Sequence, residues 1–287
     1  MDFYEATPIT KPEAVVGECP IICGPDHIVW VDIPAGIIRK TNVEDGRSIE
    51  HRHHEPVGAV ARSSRGEFII AAGQGFYSLP TFGAQAKNLA TVHQDEGVRF
   101  NDGKVDPWGR FVVGSACVGA RARSAALFAL DSSYSASQIL SDVTMSNGLD
   151  WSPDRRYFYY VDTTSQRIDR FETSVENGCL GKRRAFAQID RKLGLPDGLT
   201  VDAEENVWLA VWDGSCVLGF SKLGTPIARI NVPASRPSSC TFGGRNLDTL
   251  FITSARADQD IPNDLGGALF AVRLPHVGQS ERLFQDG

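Results

Sequence analysis

The stretch FNDGKVDPWGRFVVGS, Phe100 to Ser115, sets the polar run Asn101-Asp102-Gly103 ahead of a turn at Asp106-Pro107-Trp108-Gly109, then a strand-forming run from Phe111. The pattern returns as SNGLDWSPDRRYFYYVD, Ser146 to Asp162, and as LPDGLTVDAEENVWLAVW, Leu195 to Trp212. Weaker copies are CGPDHIVWVD from Cys23, RSSRGEFIIAA from Arg62 and FGGRNLDTLFITS from Phe242. The turns carry Gly, Pro, Asp, Ser and Asn, which supply special backbone angles and local side-chain hydrogen bonds. The runs after them are β-branched and aromatic, as half-buried pleated surfaces require. One position ahead of each run, occupied by Glu18, Val57, Asp102, Asn147, Asp197 and Ser239, recurs about every 45 residues.

A period of that length, holding several short strands and almost no helical periodicity, is the mark of propeller blades. Six units fill the 287 residues. The expected fold is all-β: a single six-bladed β-propeller over 1–287, of four-stranded antiparallel blades around a central channel. A β-sandwich is the alternative, but it does not explain six copies of one unit. Strands from both termini are expected to mix in the last blade.

In a propeller the first strand of each blade lines the channel, so equivalent residues of successive repeats form a ring. Glu18, Asp102, Asn147 and Asp197 are thereby expected at one mouth. Carboxylates and an amide gathered there repel unless a cation sits among them. An all-oxygen set suits a hard divalent ion, Ca2+ foremost or Mg2+, with Zn2+, Mn2+ or Fe2+ as alternatives. The bland reading is that each residue caps its own turn or bonds a neighbouring blade.

Twenty-nine basic against 35 acidic residues give a net charge of −6, which argues against nucleic acid or an anionic membrane as partner. No apolar run approaches the roughly 18–20 residues that cross a bilayer, and no leader pattern opens the chain. The six cysteines include no C-x-x-C and read as buried thiols of a reducing compartment, so a cytoplasmic location is expected. His51, His53 and His54 read as a solvated loop. No G-x-S-x-G elbow is present to support serine-esterase chemistry.

The segments VVGECP from Val15, VRFNDGKVDPWGRFVVGS from Val98, MSNGLDWSPDRRYFYYVDT from Met145, LPDGLTVDAEENVWLAVWDG from Leu195 and TSARADQDIPNDLGGALFAV from Thr253 stand in one order. Together they resemble the senescence-marker protein/gluconolactonase/regucalcin-like family of six-bladed propellers, which includes sugar lactonases. The resemblance implies that Glu18, Asn147 and Asp197 ligate one divalent cation, and that Arg99 and Asn101 hold the substrate's oxygens. Asp197 is implied as the candidate base; Asp197, or a hydroxide held by the cation, would deliver the water that opens a lactone, expected to be that of an aldonic acid. Asp102 is carried as a pocket residue.

One departure stands out. The loop SACVGARARSAALF, Ser115 to Phe128, carries Arg121 and Arg123 where sugar lactonases often place an acid. Either both arginines are merely solvated, or they bias the pocket toward an anionic or otherwise different lactone, with Arg121 then expected to contact substrate. Two other functions fit the same scaffold: a non-catalytic, regucalcin-like calcium-binding propeller, and a phosphotriester-type hydrolase. The expected partner is a small-molecule lactone, and the expected state a monomer or weak homo-oligomer.

Overall fold

The computed structural model describes residues 1–119, 121–259 and 261–287. Six antiparallel sheets follow one another along the chain, and their innermost strands are Gly17–Ile22, Val57–Arg62, Val98–Val105, Ser146–Trp151, Leu195–Val201 and Arg236–Gly243. Each innermost strand packs on the next, and the sixth packs on the first, so the ring closes as the repeat demands. The sixth blade takes three strands from the C-terminal part of the chain and its outermost, Thr7–Pro8, from the N-terminal part. Asp2–Glu5 adds in parallel to the outer edge of the fifth blade, Pro226–Asn231.

The turns joining first and second strands are built as their composition predicts. Asp106 accepts from the backbone N–H groups of Trp108 and Arg110, both at 2.9 Å, and Asp202 does the same for Glu204 at 2.9 Å and Asn206 at 2.8 Å. Between blades the packing is aromatic and aliphatic, with Trp30, Trp151 and Trp208 fully buried. The six cysteines are all unpaired, and Cys179 alone among them is exposed.

All six innermost strands shift register near their N-terminal ends, where the site forms. Such bulges re-aim a side chain or sharpen a strand's twist. Glycine follows Asn147 and Asp197 for a reason of space. A Cβ on Gly148 would stand 2.6 Å from the Asp197 carbonyl oxygen, and one on Gly198 would stand 2.6 Å from the Ser239 Cα. The glycines thus let neighbouring strands close to contact beside the residues that carry the polar groups.

The innermost strands run parallel to one another around the axis, so their starts and their ends define two mouths. At the ends, residues 278–287 form a strap. Gln279 donates to the carbonyls of Trp151 at 2.8 Å and Val201 at 3.0 Å, and Arg282 to Asp150 at 2.8 Å. Glu281 pairs with Arg62 at 2.7 Å. Phe284 is fully buried in the core of the first three blades. Between strap and strand ends remains a cavity of only about 70 Å3. No periodic signal along the chain announces this closure. Phe284→Ala should cost about 3–5 kcal/mol of stability in urea unfolding, because it empties a fully packed site.

Candidate functional site

At the opposite mouth, the strand starts surround a cavity of about 370 Å3. Glu18, Arg99, Asn101, Asn147 and Asp197 all line it, joined by Thr163 and Trp212. Two expected residues do not. Asp102 is buried but lies outside the lining, its carboxylate accepting from the Gly103 N–H at 2.7 Å. The cause is the bulge: Phe100 pairs with Ser115 and Asp102 with Gly114, so Asn101 is the extra residue and takes the place that the period assigned to Asp102. Arg121 is likewise outside the lining. It is exposed and paired with Asp95 at 2.7 Å.

A chain of hydrogen bonds fixes the amides. Arg99 Nη1 donates to the Phe100 carbonyl at 2.8 Å and to Asn101 Oδ1 at 2.9 Å. Asn101 Nδ2 donates to the Ser146 carbonyl and to Asn147 Oδ1, both at 2.9 Å. Asn147 Nδ2 in turn donates to Thr163 Oγ1 at 2.8 Å, and that hydroxyl donates to the Pro196 carbonyl at 2.9 Å. The carbonyl can only accept, so the Thr163 proton is spent there and its oxygen must accept from the amide nitrogen. This sets Asn147 with Oδ1 away from Thr163, one lone pair on Asn101 and the other free. Thr163 was missed in the sequence. The cue available was only a hydroxyl residue directly after the Asp162 that ends the second strand.

The carboxylates are less well provided. Glu18 Oε2 accepts from the Cys19 N–H at 2.6 Å. Cys19 itself sits at φ 45°, the left-handed region that favours glycine, and its thiol donates to the Gly103 carbonyl at 3.3 Å. Asp197 Oδ1 is buried with no hydrogen-bond partner. Burial, then the neighbouring charges of Asp197 and Asp102, pushes the Glu18 carboxyl well above its usual range. Burial, then Asp102, does the same to Asp197. Asp102 is pushed up to about 6, chiefly by burial.

Asp150, in the same channel, shows the opposite outcome. It is equally buried, yet Lys104 at 3.0 Å and Arg282 at 2.8 Å outweigh that burial and hold it at about 2. Near the mouth the Cys19 N–H and then the Arg99 guanidinium only partly offset the burial of Glu18, and burial pulls Arg99 itself down. The donor set at the mouth is thus two carboxylates and one oriented amide oxygen, with an orphaned oxygen among them. Those are the ligand types of a hard divalent cation, whose charge equals theirs.

A separate group lies on the outer side of the first two blades. Ligand-capable atoms of His53, His54 and Glu55 come within 4.8 Å of one another. Contrary to the solvated loop expected, His51 lies in the strand Ser48–Arg52, and both His51 and His53 are buried. His53 Nδ1 accepts from the Glu55 N–H at 3.2 Å, and its ring lies tilted on that of His54 with centroids 4.2 Å apart. These contacts account for the group as local packing.

Residues 16–256 match the family described as SMP-30/Gluconolactonase/LRE-like region, and the chain belongs to that family. Among its relatives, a 6-deoxy-6-sulfogluconolactonase from Pseudomonas putida is 34% identical over 283 residues, covering 96% of this chain and 97% of that protein. A regucalcin from Danio rerio is 33% identical over 257 residues, covering 88% and 87%. The crystal structure of a calcium-binding protein, regucalcin, from Agrobacterium tumefaciens superposes with a TM-score of 0.92 over 99% of both chains at 24% identity, which shows the shared fold. Among the described residues no helix is long and apolar enough to cross a membrane.

The carboxylates make a pH prediction. Folding raises both pKa values, so above about pH 4 the folded chain holds protons that the unfolded chain releases. The stability this pair contributes without metal is therefore present in acid and lost as pH rises. In urea titrations of EDTA-treated protein, Asp197→Asn should gain on the wild type between pH 5 and pH 8. A constant gap across that range would show that the two charges are not in conflict.

Proposed function

We propose that the protein hydrolyses a lactone with the help of a divalent cation held by Glu18, Asn147 and Asp197. The observation that carries this reading is the buried, unpartnered Asp197 Oδ1 beside a second buried carboxylate and a fixed amide oxygen. Family membership and the printed activity of the Pseudomonas putida relative support a lactone as the substrate. The expectation of an aldonic acid lactone rests on the same two supports.

When bound, the cation would polarise the ring carbonyl and stabilise the charge that develops on its oxygen. The protein's own groups supply the rest. Asp197 has a second carboxylate oxygen with which to take a proton from the attacking water. Water adds to the carbonyl carbon, the ring C–O bond breaks, and the departing ring oxygen recovers the proton, leaving a hydroxy acid. Arg99 spends Nη1 on Phe100 and Asn101, which leaves Nη2 and Nε to face the substrate. Both amide hydrogens of Asn101 are committed, so its role is to hold Arg99 and Asn147 in place.

Stripping with EDTA should abolish lactone hydrolysis, followed as acid release, and calcium or another divalent ion should restore it. Full activity in the stripped protein would refute the metal-dependent reading. Asp197→Asn should lower kcat by about 10²–10⁴-fold. The relatives named regucalcin support a second reading, a calcium-binding propeller without turnover. It predicts ion binding with no lactone opened.

Thr163→Val keeps the shape of the side chain but frees Asn147 to turn its nitrogen toward the cavity. Calorimetric titration with calcium should show about 10–100-fold weaker binding, the usual cost of losing a ligand's supporting contact.

A further inference from the structure

The cavity changes character with height. Its base carries the polar residues named above, but its walls are mostly hydrocarbon, from Val16, Ile33, Met145, Leu195 and the indole of Trp212. The apolar surface continues onto the rim, where Val118 is 70% exposed, Val15 46% and Leu195 40%. Large apolar side chains left in water around an opening mark a surface that a ligand covers.

The wall is also held stiff. The Arg236 guanidinium lies 5.0 Å from the centroid of the Trp212 ring, and Arg236 is itself fixed by Asp213 at 2.8 Å and Asp258 at 2.6 Å. An indole clamped by a stacked cation stays in place as an apolar panel. Among the described lining residues the one cation is Arg99, which belongs to the polar base, and Arg121 is turned onto Asp95 outside the cavity, so the apolar wall offers no cation to an anionic arm. A ring bearing several hydroxyls would press them against Val16, Ile33 and Leu195, where they lose water and find no partner.

Granted the lactone reading, but against the aldonic acid lactone expected from the sequence and the family, we infer that the site takes a lactone bearing a hydrocarbon arm, alkyl or aryl, rather than a polyhydroxylated one. The ring rests on the polar base, and the arm lies along Ile33, Leu195 and Trp212 toward the exposed valines. The hydroxyl-poor wall is the property that selects it.

The test uses the full-length, metal-loaded protein and δ-lactones with alkyl arms from methyl to heptyl, beside D-glucono-δ-lactone. In parallel, δ-lactams with the same arms, which are not cleaved, are titrated calorimetrically. Both kcat/KM and lactam affinity should rise about fourfold per added methylene until the wall is covered, with gluconolactone below the alkyl series. Leu195→Ser and Trp212→Ala should flatten that rise. If lactones are opened but gluconolactone is the best of them, or the alkyl arm gains nothing, the inference is wrong and lactone hydrolysis stands. If lactams bind with the expected rise but no lactone is opened, the hydrolytic reading falls and the apolar site remains. Failure of both overturns both.

Discussion

Two carboxylates, Glu18 and Asp197, are buried at one mouth of the propeller channel without a basic side chain to neutralise the pair. That conflict organises the site. Asp150 shows that the chain can solve the problem with its own residues when it does so for structure, because Lys104 and Arg282 flank it and keep it ionised. At the other mouth the only nearby cation among the described residues is Arg99, and two of its five N–H donors are spent on backbone and amide oxygens. The electrostatic cost is left for something from outside the chain to relieve.

The scaffold concentrates this demand with modest means. Glycines after Asn147 and Asp197 remove the side chains that would hold adjacent strands apart. Bulges at the strand starts turn successive donors inward. A relay through Asn101, Asn147 and Thr163 ends on a carbonyl, and that single acceptor decides which way every amide in the line points. Removing the acceptor end would leave the direction of the line undetermined, since amide nitrogen and oxygen are nearly the same shape.

Much of this was legible in the sequence because repetition converts distance along the chain into position around a ring. The six blades, and the meeting of Glu18, Asn147 and Asp197 on one cavity, follow from the period alone. The errors are all of a kind that a period does not see. A one-residue bulge put Asn101 where Asp102 was expected. An ion pair between residues 26 positions apart turned Arg121 away from the cavity. Thr163 and the C-terminal strap act through single tertiary contacts that repeat nowhere else. His51 and His53 are buried in spite of a charged neighbourhood, because the second blade's edge covers them; His51 lies 6.2 Å from the Phe82 ring and His53 4.7 Å from the Tyr77 ring.

The strap across the far end also governs traffic. With Phe284 anchored and Arg282 bonded to Asp150, the channel is a well rather than a tunnel. Whatever enters must leave by the way it came, past the hydrocarbon lip formed by Val118 and Leu195. On the proposed lactone-opening reading, an acid formed at the base would occupy the same single doorway that the next arrival needs, so outgoing and incoming molecules would exclude each other in turn.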